Sequence, residues 1–535
     1  MENKSAGNGF LILSIAGILG KLLSALYVPL LSNILGTDGY GIYTVGYDIF
    51  VFLIAVTSLG VQPAVTKVVT EYRAIGNYKD SLRAMKIARR TFTLISIVIA
   101  GIFMLLAYPI ANIINRPDSA LTFIFLAPAL VFATIIAAYR GYIQGTERME
   151  SLAISQVLEQ LVNVVISLIF AFMLLKVTES YDWGSAGGTI GTSLGAIVAI
   201  IYIIYIFEKQ GYEEEAEEKQ EPQVKRIHKK RIVKKLFSYA IPICLVAGVQ
   251  NFAGVIDSIT LGIGLEKAGL GENIDYLAAH LNYYKTLVYV PLAIVTALAT
   301  AIFPKIIKAF VLKDKKDLRR QTSYAFRITY IIVIPATIGL ALLSKEIYRF
   351  LFNTNEWYGL LTYGSILLVF MSITTIQNII LQGINKLYLI IFSASAGVVV
   401  KIILNIILVP KISITGAMIA TIISYIIPTV INHKKIQGFF KVRVPIIRQS
   451  IIPIIGSIAM ALIILLGKIP VNKLMENLGS GRMITGIGTF ILIGLGGIAY
   501  LYVMVYLGGI KRQDLDLIST KLFRFLPRAI RRKLS

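Results

Sequence analysis

The 535-residue chain has little of what a soluble enzyme uses for chemistry. It contains one cysteine, two tryptophans and three histidines, and only 15% of its residues are charged. Cys244 alone can form neither an intrachain disulfide nor a thiolate cluster, and the histidines lie far apart in the sequence, so we predict no metal site. A Walker phosphate loop and a Ser/His/Asp set are also missing. We therefore predict no cofactor, no direct use of ATP and no enzyme activity.

Acidic residues are scarce as well: 29 Asp and Glu stand against 53 Lys and Arg, for a net charge of +24. Such an excess can indicate a nucleic-acid partner. Here the basic residues instead concentrate in alternate loops between apolar segments, as cytoplasmic loops of membrane proteins do. We therefore expect a multi-pass protein of the cell (plasma) membrane with both termini in the cytoplasm and no nucleic-acid partner.

Apolar residues dominate the chain, at 56% of the total. A window of about 19 residues gives fourteen candidate spans. They are 10–35, 42–68, 91–112, 120–139, 152–175, 185–207, 237–262, 281–304, 325–343, 359–383, 388–409, 414–431, 449–467 and 483–507. The predicted fold class is an all-α polytopic membrane protein with fourteen transmembrane helices.

The two halves of the chain repeat short motifs. Pro63 and Lys67 close the second span as Pro304 and Lys308 close the eighth, both at an offset of 241 residues. We predict two six-helix lobes related as a parallel repeat, followed by two extra helices. The predicted boundaries are 1–207 for the N-lobe, 208–236 for a charged cytoplasmic linker, 237–431 for the C-lobe, 432–507 for helices 13 and 14, and 508–535 for a basic amphipathic cytoplasmic tail. The linker has a block of acidic residues followed by a block of basic residues, and it is therefore expected to be flexible.

Several charged residues fall inside the apolar spans. A charge at mid-bilayer depth costs roughly 2.5–3.5 kcal/mol, so Asp257, Lys285 and Lys21 are expected to face a polar chamber or a partner. Lys21 and Lys285 could hold an anionic headgroup such as a lipid diphosphate, with Gln156 and Gln160 as candidate sugar contacts. The alternative is an internal ion pair of these lysines with Asp48 or Asp257.

Two sequence runs carry a family resemblance. They are Leu-Gly-Thr-Asp-Gly-Tyr-Gly-Ile-Tyr at 35–43 and Arg-Gly-Tyr-Ile-Gln-Gly-Thr-Glu-Arg-Met at 140–149, with Ser155-Gln156 and Glu159-Gln160 after them. The chain resembles the polysaccharide exporters of the multidrug/oligosaccharidyl-lipid/polysaccharide (MOP) exporter superfamily. Within it the chain is most similar to the stage V sporulation protein B (SpoVB) branch, close to MurJ-type lipid II flippases.

The resemblance implies roles for particular residues. Lys21 and Lys285 occupy places where MurJ-type flippases are expected to hold the substrate pyrophosphate with arginines, and lysine keeps the charge but loses bidentate binding. Lys67 is a candidate third cation at the cytoplasmic mouth, unless it extends to the interface. Glu159 could relay protons or bind sugar, or it forms a salt bridge with Arg140 or Arg148. Asp48 is expected near Lys21 or Lys285.

An ion site is the second implication. Val-Ile-Asp-Ser-Ile at 255–259 resembles the seventh-helix motif whose aspartate helps to bind sodium in MurJ-type proteins. Lys401 and Asn405 lie four residues apart on one face of the eleventh helix, and Thr421 follows on the twelfth. We expect the Lys401 ammonium to take the place of sodium beside Asp257. Sodium coupling would then be altered or absent, with a proton or the membrane potential as the other energy sources.

The resulting prediction is a flippase that moves an undecaprenyl-type lipid-linked oligosaccharide, lipid II in particular, from the inner to the outer leaflet by alternating access. The alternatives are a flippase for a capsule- or teichoic-type precursor and a multidrug or cation antiporter of the same superfamily. A membrane enzyme is a weaker alternative, because the outer loops are short. The predicted partners are the lipid-linked substrate and the bilayer; we expect a monomer in contact with cell-wall synthesis machinery.

Overall fold

Every regular element in the part of the chain described by the computed structural model is a helix. The described residues are 2–146, 148–440, 446–477, 479 and 481–510, so the predicted tail lies outside them. Hydrocarbon offers no hydrogen-bonding partner to the backbone, and a helix satisfies its N–H and C=O groups internally. The predicted all-α polytopic class is confirmed.

Twelve helical stretches among the described residues are long and apolar enough to cross a membrane. Two of them, Leu22–Ala74 and Leu387–Phe439, are 53 residues long and each overlap two of the predicted spans. Between the two predicted spans of each stretch the break is short: one residue, Gly36, with a φ of 71°, and the pair Ile412–Ser413, with a φ of 53° at Ser413. The twelve stretches therefore overlap all fourteen predicted segments.

The chain divides into two compact units, of which the first comprises 1–282 and 394–420. This unit contains α1 (Glu2–Thr57), α2 (Val61–Ala74), α3 (Tyr78–Leu105), α4 (Ala107–Ile113), α5 (Ala120–Gly145), α6 (Met149–Thr178), α7 (Tyr181–Lys209), α8 (Tyr212–Glu218) and α9 (Lys229–Lys267). It also includes the beginning of α10 (Ile274–Val311) and the middle of α15 (Leu387–Phe440).

The second unit comprises 283–393 and 421–535. Besides the remainder of α10 and the two ends of α15, it contains α11 (Lys315–Leu342), α12 (Ser344–Phe352), α13 (Gly359–Gly364), α14 (Leu367–Gly383), α16 (Ile446–Asn477) and α17 (Arg482–Tyr506). The lobe boundaries inferred from the sequence stay a prediction.

Three predicted spans, 42–68, 91–112 and 359–383, are interrupted by short turns, between α1 and α2, α3 and α4, and α13 and α14. The segment 42–68 was expected to be continuous, but α1 ends at Thr57 and α2 begins at Val61. Pro63 lies in the first turn of α2, where its missing N–H breaks no helical hydrogen bond. The proline therefore begins a new helix instead of closing the old one.

The linker contains a helix and ion pairs that the sequence did not predict, while its expected flexibility stays a prediction. Its acidic half forms α8, where Glu215 pairs with Arg73 at 2.7 Å and Glu213 pairs with Lys86 at 2.5 Å. Tyr212 is buried against Phe207. The acidic block thus finds basic partners on α2 and α3, which are remote in sequence.

Helices α6 and α7 pack with their backbones close together in the first unit. A Cβ added at Gly187, Gly191 or Gly195 would lie 2.6, 2.2 or 2.6 Å from a backbone oxygen of α6. Small residues at four-residue intervals permit such an approach between membrane helices. The three glycines therefore set the spacing of α6, the helix that carries Gln156, Glu159 and Gln160.

Substitution at this contact has a testable cost. Gly191→Ala should destabilise the protein by about 1–3 kcal/mol, because the added methyl overlaps the Asn163 carbonyl oxygen. Gly101→Ala is the matched control, since nothing lies within 4 Å of a Cβ at Gly101 in α3. Thermal unfolding in detergent should show a lower midpoint for Gly191→Ala alone. Equal midpoints for both variants would contradict the close packing.

In the second unit, α16 and α17 hold the short helix α12. Lys468 on α16 forms an ion pair with Glu346 at 2.7 Å, and Arg482 on α17 donates to the carbonyl oxygens of Phe350 and Leu351 at 2.7 and 2.8 Å. The two extra helices are thus fastened to α12 by charged groups as well as by the apolar cluster that includes Met460.

Candidate functional site

A buried ion pair lies in the first unit between α9 and the middle of α15. Lys401 Nζ donates to Asp257 Oδ2 at 2.8 Å and to the Ala253 carbonyl oxygen at 2.9 Å. Asn405 Nδ2 donates to Asp257 Oδ1 at 3.0 Å and to Thr260 Oγ1 at 2.8 Å. Asp257 and Lys401 are each 1% exposed. The contact expected from the sequence between these two side chains is therefore present.

Helical spacing explains how these groups meet. Ala253, Asp257 and Thr260 are separated by four and three residues, so they share one face of α9. Lys401 and Asn405 are four residues apart on α15. Gly264, two turns beyond Asp257, has no side chain to separate the helices: a Cβ there would lie 2.8 Å from Val409 Cγ1. The glycine allows α15 to approach α9 closely enough for the polar contacts.

The cluster has the oxygen atoms that a small monovalent cation needs. Carboxylate, hydroxyl and carbonyl oxygens are typical ligands of hard cations. In this structure the Lys401 ammonium already supplies a positive charge to the Asp257 carboxylate. The arrangement is therefore a charge-neutral, hydrogen-bonded pair.

Removing one member of this pair should strongly destabilise the fold. Asp257→Asn or Lys401→Met leaves an uncompensated buried charge, for which about 3–5 kcal/mol is expected. The double variant Asp257→Asn/Lys401→Met should cost less than the sum of the two single variants, because it buries no net charge. The measurement is a double-mutant cycle of unfolding free energies in detergent.

The exposed pair Lys86–Glu213 provides the control, since its side chains are 42% and 65% exposed. Glu213→Gln should change stability by less than about 1 kcal/mol. An additive cycle for Asp257 and Lys401 would show that the two charges do not interact.

Helix α6 presents polar side chains toward α1 and α5. Ser24 Oγ on α1 donates to Gln160 Oε1 at 3.1 Å, while Arg140 on α5 forms a 2.7 Å ion pair with Glu159. Arg140 also donates to Ser155 Oγ at 2.8 Å. Of the interpretations left open for Glu159, the salt bridge with Arg140 is the one present. Gln156, one turn earlier, is half-buried.

Asp48 is half-buried on α1 beside α9. It accepts a 3.4 Å hydrogen bond from Ser258 Oγ, and a Cβ at Gly254 would lie 3.1 Å from its carboxyl carbon. Asp48 thus contacts the same helix as the Asp257 pair. Its predicted approach to Lys21 or Lys285 stays a prediction.

Lys285 is buried on the portion of α10 that belongs to the second unit. Its neighbour Tyr283 stacks on Phe352 with ring centroids 3.9 Å apart, so Tyr283 is part of an aromatic core. Thr421 on α15 is also buried in this unit. Its membership of the ion site stays a prediction.

Lys21 and Lys67 are the remaining two predicted cations. The side chain of Lys21 lies outside the described part of the chain. Lys67 is exposed on α2, with its ammonium 4.0 Å from the centre of the Tyr239 ring. This cation–π contact fixes the lysine at the end of α9.

Two features of the first unit were missed by the sequence analysis. Thr260 joins the Asp257 cluster, and its position three residues after Asp257 was the available signal. Arg116, which is 3% exposed, forms an ion pair with Asp275 and donates to the Gly41 carbonyl oxygen at 2.9 Å. An arginine in a loop otherwise poor in basic residues was the signal there.

Comparison with known proteins identifies relatives over nearly the whole length. The chain is 26% identical to the lipid II flippase MurJ of Bacillus subtilis (strain 168), over 94% of this chain and 96% of that protein. It is 22% identical to stage V sporulation protein B of the same organism, over 86% of this chain and 90% of that protein. A solved structure of the lipid II flippase MurJ in an inward closed conformation has a TM-score of 0.69 at 16% identity, covering 95% of this chain and 100% of that one.

A family model described as "Polysaccharide biosynthesis protein" matches residues 6–310, more than half of the chain. With the helical fold, these likenesses define an all-helical, polytopic membrane protein that is similar to transporters. Within that class, the chain belongs to the polysaccharide biosynthesis protein family.

Proposed function

We propose that the chain is a flippase that moves an undecaprenyl-type lipid-linked oligosaccharide, the peptidoglycan precursor lipid II, from the inner to the outer leaflet. The observation that carries this proposal is the likeness to MurJ over 94% of the chain. The protein acts as a monomer in the cell membrane with both termini in the cytoplasm, in contact with the cell-wall synthesis machinery. A capsule- or teichoic-type precursor is the second candidate substrate.

The charges of the described residues support an anionic substrate. A diphosphate cannot cross hydrocarbon unaided, so its carrier needs fixed positive groups at membrane depth. Lys285 is a cation buried on a membrane-spanning helix. Lys21 lies on the first helix. In our proposal both lysines hold the diphosphate while Gln156, Glu159 and Gln160 contact the glycan.

A cationic drug is a poorer fit to the same residues. Chambers for cations need exposed carboxylates, whereas Asp257 is neutralised by Lys401 and Glu159 is paired with Arg140. Those two acids would have to lose their partners before binding a cation. The multidrug or cation antiporter is therefore not our proposal.

Alternating access supplies the mechanism. The headgroup enters a cationic chamber that is open to the inner leaflet, the protein rearranges, and the headgroup leaves toward the outer leaflet while the lipid tail remains in the bilayer. No bond is made or broken. The protein lowers the barrier to translocation by replacing the water around the headgroup with fixed charges and amides.

The substrate prediction can be tested in cells depleted of their own lipid II flippase. Wild-type protein should restore outward exposure of the lipid II headgroup, and Lys21→Ala/Lys285→Ala should lower that exposure at least about tenfold, the loss expected for one charged hydrogen bond. Lys315→Ala/Lys316→Ala removes two exposed charges from α11 and should behave as wild type. Failure of well-expressed wild type to restore exposure would favour the capsule- or teichoic-type precursor.

We further propose that Lys401 replaces a coupling cation. Its ammonium lies 2.8 Å from the Asp257 carboxylate, so a sodium ion at that position would have to displace a tethered charge. Energy for transport then comes from the membrane potential, worth about 2.3 kcal/mol per charge and 100 mV, or from protons. Thr421 could complete the site when Lys401 is absent.

In proteoliposomes, wild-type flipping should be equal in sodium and in potassium at the same ionic strength. Lys401→Asn, which leaves the carboxylate and adds an amide oxygen, should acquire a dependence on sodium. The measurement is the initial rate of headgroup translocation in each salt. Sodium stimulation of the wild type that Asp257→Asn abolishes would show that the carboxylate itself binds sodium.

A further inference from the structure

The charges around the linker are separated in space as well as in sequence. In the acidic half, Glu213 forms an ion pair with Lys86 and Glu215 forms one with Arg73, and both cations lie on other helices. No acidic residue occurs between Glu221 and Asp257. The basic half of the linker and the first turns of α9 therefore have no acid of their own.

We call residues 225–234 the basic segment. Six of its side chains are exposed cations, and none of them forms an ion pair with any residue that the structure describes: Lys225, Arg226, Lys229, Lys230, Arg231 and Lys234. Neighbouring like charges repel one another. The segment therefore carries a concentrated positive charge that the described part of the protein leaves unbalanced.

The backbone of the basic segment is nevertheless fixed. The buried Asp80 carboxylate accepts a 2.6 Å hydrogen bond from the Ile227 amide, and Arg83 donates to the Ile227 carbonyl oxygen at 3.0 Å. Ile232 is 0% exposed in the core cluster that includes Leu236. A ligand at these cations would therefore meet an ordered surface, with little backbone entropy to lose.

The charge of the segment also opposes its own helix. Lys229, Lys230 and Arg231 form the first turn of α9, next to the positive end of the helix dipole, and His228 makes no side-chain cap. Helix α11 begins differently: Asp314 accepts hydrogen bonds from the Lys316 and Asp317 amides, and Asp317 pairs with Arg320. An external anion would supply negative charge at the start of α9, as Asp314 and Asp317 do at the start of α11.

The apolar run of α9 starts at Phe237, directly after the basic segment. This order puts the cations at the depth of lipid phosphates, and clusters of four to eight Lys or Arg beside a membrane helix attract anionic lipids. We propose that the basic segment is a binding surface for the phosphate groups of anionic phospholipids. The proposal is independent of the transported substrate.

Lipid retention by the full-length protein tests this surface. Wild-type protein is equilibrated in micelles that contain equal amounts of phosphatidylglycerol and phosphatidylcholine, and the retained lipids are counted by native mass spectrometry. The variant K229Q/K230Q/R231Q/K234Q should lower the retained ratio of phosphatidylglycerol to phosphatidylcholine at least about tenfold, and added salt should lower the wild-type ratio.

The matched control removes four charges from the start of α11, in the variant K315Q/K316Q/R319Q/R320Q. Its effect should be less than about twofold, because those cations lie among the acids Asp314 and Asp317. An equal loss in both variants would mean that net charge alone attracts the lipid. An unchanged ratio in the α9 variant would overturn the proposal as well.

Two further measurements separate folding and free anions from lipid binding. In phosphatidylcholine nanodiscs the α9 variant should melt no lower than wild type, whereas phosphatidylglycerol should raise the melting midpoint of wild type only.

If the α9 variant fails to fold, K225Q/R226Q, which leaves α9 intact, should show a smaller loss of lipid retention. No loss in that variant would count against the surface. Displacement of phosphatidylglycerol by inorganic phosphate, but not by chloride at equal ionic strength, would assign the segment to a free anion instead.

Discussion

Hydrocarbon accepts neither an unpaired backbone amide nor an isolated charge, and the described structure follows from that constraint. The backbone satisfies it by helices throughout the described residues. The side chains satisfy it by pairing: Asp257 with Lys401, Glu159 with Arg140 and Arg116 with Asp275. Each of these pairs joins two different elements, and the first and third join residues more than 140 positions apart. The same requirement that neutralises the charges therefore also fastens the elements together.

The pairs differ in what they leave for function. Asp257 and Lys401 are fully buried, and their charges neutralise each other. Lys401 also donates to the Ala253 carbonyl oxygen, and Asp257 accepts from Asn405. Gln156 is half-buried and carries no charge. If the chain carries an oligosaccharide, as proposed above, neutral amides would bind sugar hydroxyls, while only a few cations would need to face the diphosphate.

The sequence predicted those features that arise from local composition or from a rule that acts on single residues. Apolar runs determine the spans, and the cost of an isolated charge predicted that Asp257 would face a polar chamber or a partner. Lys401 was expected as that partner because of the resemblance of 255–259 to a sodium-site motif. The sequence predicted a loop at 36–41, whereas the structure has a helix break at Gly36 alone. A break this short is hard to predict, because a positive φ in one residue leaves no signature beyond the glycine itself. The helix and ion pairs of the linker were missed for another reason. Its acidic residues look solvated until Arg73 and Lys86, more than 120 residues earlier, are brought beside them.

The glycine contact between α6 and α7 has a consequence for how a rearrangement can be divided among the helices. With Cα atoms of α7 resting on carbonyl oxygens of α6 at Gly187, Gly191 and Gly195, neither a lipid tail nor a water layer fits between the two helices. Sliding one along the other by a single residue would drive a side chain into the neighbouring backbone. In the transport cycle proposed above, we therefore expect these two helices to move together, with hinges or sliding surfaces elsewhere in the chain.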